Sequence, residues 1–375
     1  MSIYVVIGKH YISIRSGSMN TDGPITSLEE PLYIPESDDN AIETTPAVFP
    51  GTDMSCFAYI GKSADALRVI FENISKPPFS DDPNTQFPGP QPCSVDRSHF
   101  ETIRSQRYAI ATKTDGIRAT LMVTDLKKTH TLTLWDRTLS TPYGIYIEKV
   151  PRVLYQHASL LDGELVYDRI HRVWTFLIFD CVIINGFPQC HKNFWDRLES
   201  AKLTLGFSYE YTDGDTLTLK VKQFQSLHEA PLPGGEYALQ NPSFPSDGYI
   251  LMPVDQGIVF GHHAQFFKLK TCHSVDFVYK KDDLYVFNGE TKRLIKSGKI
   301  TGSPFSVKDG DIVECTLYTW HSNPVKRVWR YVTTRTDKSR SNTLHTLQKT
   351  LLNIEERLEY KDIRQLAPLP EEEPP

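Results

Sequence analysis

Between Tyr108 and Met252 lie six short runs of β-branched, aromatic and aliphatic residues, and helical patterns do not separate them at any regular interval. They are Tyr108 to Thr112, Ala119 to Thr124, Thr131 to Trp135, Leu165 to Asp168, Trp174 to Val182 and Tyr249 to Met252, several of them bounded by Gly, Asp or Asn. Strands and helices without regular alternation predict an α+β fold built on mostly antiparallel sheets. Helical spacing recurs in only a few places. Ala66, Leu67, Ile70, Phe71 and Ile74 line one face of Ser63 to Ile74, with Ser63 as its cap, and Trp195, Leu198, Ala201 and Leu205 line one face of Phe194 to Leu205.

A chain of 375 residues exceeds one ordinary domain, and its two ends differ from its middle. Met1 to Arg15 reads as a strand or hairpin, closed by Ser16-Gly17-Ser18. Asn20 to Thr52 is rich in Pro, Asp and Glu and predicts a loop-rich or partly disordered stretch. After Lys270 come short strands with frequent turns: Val275 to Tyr279, Leu284 to Phe287, Ile312 to Tyr318 and Val328 to Thr333. About seventy residues of this kind fit a small β-barrel of the OB type. Thr343 to Leu358 then predicts an amphipathic helix on Leu344, Leu347, Leu351, Leu352, Ile354 and Leu358, with a Pro/Glu tail expected to fray.

The formal net charge is −5, but it is unevenly spread. The first hundred residues hold about twice as many acids as bases, and from Val278 to Asn342 the balance reverses. A basic portion on a near-neutral chain suggests an anionic substrate held locally. The cysteines Cys56, Cys93, Cys181, Cys190, Cys272 and Cys315 show neither Cys-x-x-Cys nor zinc spacing. With no signal-peptide pattern and no apolar stretch of membrane-spanning length, the expectation is an intracellular, reducing compartment and no membrane. His262, His263 and His273 lack acidic or thiol partners at ligand spacing and read as loop histidines.

Within this frame, Lys113-Thr114-Asp115-Gly116-Ile117-Arg118 puts a lysine at the end of one strand-like run and an arginine at the start of the next. By itself Asp-Gly predicts a tight β-hairpin. A chemical reading is also open: a lysine amine that acts as nucleophile, with the arginine gripping the same substrate. Such a lysine must shed its proton, which needs a desolvated or cationic setting.

Four further stretches follow in order. Leu161-Asp162-Gly163-Glu164 brings an acid to a strand entrance, and Phe176-Leu177-Ile178-Phe179-Asp180 ends an apolar strand on an aromatic and an acid. Ser246-Asp247-Gly248-Tyr249 repeats the turn-then-strand pattern, and Phe267-Lys268-Leu269-Lys270 places two ammonium groups on one strand face. Each stretch taken singly is explained by turns, a core phenylalanine or a solvated strand face.

Taken in sequence, Lys-x-Asp-Gly-x-Arg, Asp-Gly-Glu, Phe-Asp, Asp-Gly and Lys-x-Lys resemble the covalent nucleotidyltransferase family of polynucleotide ligases and mRNA capping enzymes. Phe87-Pro88-Gly89-Pro90-Gln91-Pro92, Ile183-Ile184-Asn185-Gly186, Arg197-Leu198 and the strand Trp329 to Lys338, ending Arg335-Thr336-Asp337-Lys338, are similar to the RNA guanylyltransferase branch. The resemblance runs from Phe87 to Leu358. It implies a nucleotidyltransferase domain over 61–272, an OB-fold over 273–342, a C-terminal helix and tail over 343–375, and an extension of unknown role over 1–60.

The resemblance also implies roles. Lys113 would take GMP from GTP as a covalent lysine-GMP intermediate and pass it to a 5′-diphosphate RNA end. Arg118 and Glu164 would hold the ribose, Phe179 would stack on guanine, and Lys222 sits where the family places a base-contacting lysine. Asp247 matches the acid of the fourth motif. Lys268 and Lys270 would neutralise the α-phosphate, and Asp276 would help position metal or lysine. Arg335 and Lys338, oriented by Asp337, would reach the β- and γ-phosphates. Mg2+ or Mn2+ would be required, and RNA triphosphatase and cap methyltransferase steps would fall to separate polypeptides. The chain departs from the pattern at Leu269, Thr271 and Ser341, where the family commonly has an aromatic, a proline and a proline. An ATP-dependent polynucleotide ligase, and an inactive nucleotide- or RNA-binding module, are the alternative readings.

Overall fold

The structure, a computed structural model, describes residues 2–7, 10–15, 42–75, 88–126, 129–155, 157–206, 211–302, 306–318, 327–336 and 338–367. Contacts divide the chain into two units, Met1–Pro31 and Leu32–Pro375. In the first, β1 (Ser2–Ile7) and β2 (His10–Arg15) pair antiparallel with Ile7 opposite His10, the hairpin that the alternation there predicts.

The second unit opens with β3 (Thr44–Val48), β4 (Ser55–Tyr59) and helix α1 (Gly61–Ser75), followed by β5 (Pro90–Ser94) and α2 (Phe100–Arg104). Next come β6 (Tyr108–Thr114), β7 (Ile117–Leu126), β8 (Thr129–Trp135), β9 (Tyr143–Ile145), α3 (Arg152–Tyr155), β10 (Ser159–Asp168) and β11 (Val173–Ile184). β12 (Phe187–Pro188), α4 (Phe194–Gly206), β13 (Thr218–Val221), β14 (Gln225–Ser226), β15 (Ser246–Pro253) and β16 (Gly261–Lys270) complete the larger portion.

These strands form two sheets. Nine build one in the order β12-β11-β10-β7-β8-β9-β4-β3, with β13 alongside β11, and five build the other in the order β14-β6-β15-β16-β5. Most pairs are antiparallel; β13 on β11 and β5 on β16 are parallel. The central strands of the large sheet are buried on both faces. Leu121 and Leu161 point into a core that includes Ala201 and Leu205 of α4, whereas Met122 and Leu160 point to the side covered by Leu67, Ile70 and Phe71 of α1. Alternation by two therefore reads as an unbroken apolar run in Phe176-Leu177-Ile178-Phe179. Helix α4 also presents Phe194 and Leu198 to Ala109, Ala111 and Met252 of the five-stranded sheet, which makes it the wedge between the two sheets.

Residues 44–59 correct one expectation. They were expected to lie in an extension outside the nucleotidyltransferase domain, and they instead form the two outermost strands of its large sheet. β3 is an edge strand that carries Pro46 and is mostly exposed, which is why apolar alternation does not mark it. In α1, Ser63 is inside the helix, where its hydroxyl accepts from the Glu43 N–H at 2.9 Å.

β17 (Ser274–Lys280), β18 (Asp283–Asn288), β19 (Arg293–Thr301), β20 (Ile312–Tyr318) and β21 (Val328–Thr334) close into a barrel in the order β17-β18-β19-β21-β20, filled by Val275, Phe277, Leu284, Val286, Val313, Cys315 and Trp329. A small β-barrel was expected here, and β19, mostly exposed and polar, is the strand that the pattern did not reveal. Helix α5 (Leu344–Glu356) seals it with Leu347, capped by the Thr343 hydroxyl, which accepts from the Thr346 N–H. The same helix reaches the five-stranded sheet: Asn353 donates to the Val95 carbonyl at 2.6 Å and Lys349 pairs with Asp96 at 3.1 Å. Beyond it α6 (Tyr360–Arg364), not marked in the sequence, buries Tyr360, Ile363 and Leu366 in the core under β6 and β16. Among the described residues no helix is long and apolar enough to cross a membrane, and all six cysteines are free.

Candidate active site

The Asp115-Gly116 turn does not close a hairpin. β6 pairs with β14 and β15, and β7 pairs with β8 and β10, so the turn carries the chain from one sheet to the other. Gly116 is needed there because a Cβ would sit 2.2 Å from Val166 Cγ1 and 2.7 Å from the Leu165 carbonyl oxygen. Lys113 thus stands on the small sheet and Arg118 on the large one.

Around Lys113 the small sheet assembles a cluster of charge. Lys113 Nζ donates to Asp247 Oδ1 at 2.7 Å, and Lys270 Nζ lies 3.0 Å from Asp247 Oδ2. Asp247-Gly248 is not a turn ahead of a strand but an irregularity inside β15, where the register shifts. Gly248 has φ +143, and a Cβ there would overlap the Leu269 carbonyl at 2.0 Å. That close approach sets Asp247 between the two lysines. Burial works to raise the Asp247 carboxyl, but the hydrogen bonds and charges of Lys113 and Lys270 prevail and hold it below the usual carboxylate range. Lys268 shares the face of Lys270, and burial, followed by the positive charges of Lys270, Lys113 and Arg137, lowers its ammonium.

On the large sheet Arg118 lies directly opposite Glu164 in the β7–β10 register. Its guanidinium grips Asp162 with two hydrogen bonds, Nε to Oδ1 at 3.1 Å and Nη2 to Oδ2 at 2.5 Å, donates to the Pro90 carbonyl at 2.6 Å, and lies 5.3 Å from the centre of the Phe179 ring. Asp162 is fully buried, and burial pushes its carboxyl up to about 6 even beside Arg118. The Pro-rich lead-in therefore holds this arginine; Phe87 itself is outside the described residues. Behind Phe179, the buried Asp180 carboxylate takes two hydrogen bonds from buried Arg197, at 2.7 and 2.9 Å, which pins β11 to α4.

Lys222 joins the two groups. Its Nζ donates to the Thr114 hydroxyl at 2.7 Å and lies 3.8 Å from Glu164 Oε2. Burial pushes the Lys222 ammonium down to about 8, against the pull of Glu164, and burial likewise raises Glu164 in spite of Lys222. Thr114, Asp162 and the Pro90 carbonyl were not singled out from the sequence. Each sits inside or beside a motif, and side-chain type alone does not disclose the contact.

The last motif sits on the barrel. Arg335 Nη1 lies 3.3 Å from Asp276 Oδ1 and 3.5 Å from Glu314 Oε2, and Lys338 also pairs with Asp276. Asp276 is fixed in turn by Asn342, whose Oδ1 accepts from the Asp276 N–H at 2.9 Å. Asp337 is outside the described residues.

Among the described residues no three His, Cys, Asp or Glu side chains gather as a metal site. His262 and His263 are strand residues of β16, not loop residues, and burial, then the charges of His262 and Arg197, lowers His263 to about 4. Asp247 beside Lys113, and Asp276 and Glu314 on the barrel, are already paired with cations. Asp247, beside Lys113, is the carboxylate that could contribute to holding a divalent ion bound with a nucleotide.

Residues 65–272 match the family "mRNA capping enzyme, catalytic domain", and residues 255–364 match "mRNA capping enzyme, C-terminal domain". The chain belongs to the mRNA capping enzyme family. It is 25% identical to the mRNA-capping enzyme subunit alpha of Schizosaccharomyces pombe over 360 residues, covering 81% of this chain and 85% of that protein. It is 26% identical over 303 residues to the mRNA-capping enzyme of Danio rerio, covering 74% of this chain but only 49% of that longer protein. Among solved structures, a mycobacterial DNA ligase D complexed with ATP and MES aligns over 67% of this chain and 95% of that one, at 15% identity and a TM-score of 0.39.

Proposed function

We propose that this chain is the guanylyltransferase of mRNA capping, working through a lysine-GMP intermediate. The observation that carries this reading is the Lys113–Asp247–Lys270 cluster, set one residue from the Thr114–Lys222 contact that leads to Glu164, Arg118 and Phe179. Lys113 Nζ, as the free amine, attacks the α-phosphorus of GTP; the N–P bond forms, the bond to the pyrophosphate oxygen breaks to release pyrophosphate, and one amine proton passes to solvent. A terminal phosphate oxygen of 5′-diphosphate RNA then attacks the same phosphorus, the N–P bond breaks, and lysine is restored.

Each neighbouring group supports a part of this. Asp247 aims Nζ, and its depressed basicity suits it to positioning rather than to strong proton abstraction. Lys268 and Lys270 place positive charge where the transferring phosphoryl group carries negative charge. Phe179 offers a ring to guanine, Glu164 and Arg118 face the sugar, and Lys222 donates to the base oxygen that adenine lacks. Mg2+ or Mn2+, entering with the nucleotide, offsets phosphate charge. Arg335 and Lys338 reach the outer phosphates by leaving Asp276 and Glu314, which requires closure of the barrel over the nucleotide and reopening for RNA.

The test is incubation with α-labelled GTP or ATP and a divalent metal, followed by denaturation and a search for acid-labile labelled protein. Label from GTP, lost in Lys113→Ala, is expected. Label from ATP alone would overturn the capping reading in favour of a ligase, and label from neither would favour a binding module.

A further inference from the structure

The barrel wall that carries Arg335 and Lys338 continues beyond them as a surface with its own chemistry. Alternation places Val313, Cys315 and Trp329 inside the barrel, so Glu314, Thr316 and Tyr318 of β20 and Val328 and Arg330 of β21 face outward. The register then sets out rows on this outer face. Asp276, Glu314 and Thr333 form one; Ser274, Thr316, Arg330 and Thr301 form the next; Tyr318, Val328 and Lys299 form the third. On β20 successive rows are two residues, or about 7 Å, apart, and on β21 a register shift sets Thr333 three residues from Arg330. The first row holds Arg335 and Lys338 through Asp276 and Glu314.

In the second and third rows the Arg330 guanidinium lies over the Tyr318 ring, 4.5 Å from its centre. Arg330 and Lys299 are exposed and Tyr318 is half-exposed. A guanidinium stacked on one aromatic offers its other plane to a second flat ring, and single-stranded RNA is bound through stacking of this sort beside positive charge.

We propose that Tyr318 and Arg330, with Lys299 beside them, form a stacking platform for the first bases of the acceptor RNA, on the same face as the phosphate-binding Arg335 and Lys338. The platform rests on the guanylyltransferase reading for the identity of its ligand. Arg330 and Tyr318 touch neither Lys113 nor its neighbours on the small sheet, so the platform serves transfer to RNA and not loading with GMP.

Two measurements test it on the full chain. Fluorescence anisotropy with a 5′-diphosphate oligoribonucleotide reads RNA affinity without chemistry. Isolated protein-GMP is then chased either with that RNA or with inorganic pyrophosphate. Arg330→Ala and Tyr318→Ala should each weaken RNA binding and RNA transfer by about tenfold. GMP loading and pyrophosphate reversal should stay within about twofold of the parent chain. Tyr318→Phe keeps the ring and should restore RNA binding. Unchanged RNA affinity in both alanine variants overturns the platform, as does an equal loss of RNA transfer and pyrophosphate reversal. A parent chain that binds the RNA but forms no adduct with GTP would strike the reaction itself, while the affinity comparison still decides the platform.

Discussion

Lys113 and Asp247 come from strands paired in the small sheet, and their side chains meet at 2.7 Å between amine and carboxylate. With Lys270 on the other oxygen, Asp247 is shared between the two lysines. Asp247→Asn keeps the shape but gives up the charge that aims Nζ. The rate of labelled adduct formation should fall about a hundredfold, because small misplacement of a nucleophile has that effect. A rate within threefold of the parent would mean that Asp247 does not position Lys113.

Lys222 supplies a pH signature. Its folded-state value of about 8 lies below its ordinary 10.5, so the group is charged below about pH 8 and neutral above it in the folded chain, while an unfolded chain would keep the proton. Over that interval the unfolded state binds more protons, and this group's contribution to stability rises with pH. Under the proposed base contact, the charged donor to guanine is lost over the same interval, so KM for GTP should rise as pH passes 8. In Lys222→Gln, neutral throughout, that rise should vanish and KM should be higher by about tenfold at pH 7. Parallel pH profiles in the two proteins would remove Lys222 from the base site.

Gly116→Ala should destabilise the fold by about 1–3 kcal/mol, since the new methyl group meets the Leu165 carbonyl and Val166. Gly214→Ala is the control, with no heavy atom within 4 Å of its Cβ and no left-handed φ, and should denature like the parent. Equal thermal denaturation of all three proteins would contradict the close approach at Gly116.

The C-terminal segment predicts a structural requirement. Ending the chain at Arg357 removes Leu358, Tyr360, Ile363 and Leu366 from the core beneath β6, the strand of Lys113. Thermal unfolding should move down by several degrees, as expected when buried aromatic and aliphatic side chains are removed together. Adduct formation should fall with it. A truncated chain with the parent's melting curve would show that α6 does not support the small sheet.

The charged and aromatic residues of the site were legible in order, because their chemistry is carried by residue type and short spacing. So were the helices with strong 3.6-residue alternation and most strands of the barrel. Local periodicity reports which residues lie together on one element; it does not report which strand that element pairs with. Hence Lys113 and Arg118 read as two sides of a hairpin, whereas β6 and β7 enter different sheets. Hence also Thr44–Val48 read as loop, because an edge strand needs only one neighbour and can carry a proline and exposed side chains. The contacts of Arg118 with Asp162 and Pro90, of Lys222 with Thr114, and of Asn353 with Val95 join positions 28 to 258 residues apart. The sequence by itself determined which charged and aromatic groups are present and in what order; only the packing of the two sheets and the barrel decided which of them meet, because those distances are set by long-range pairing and burial.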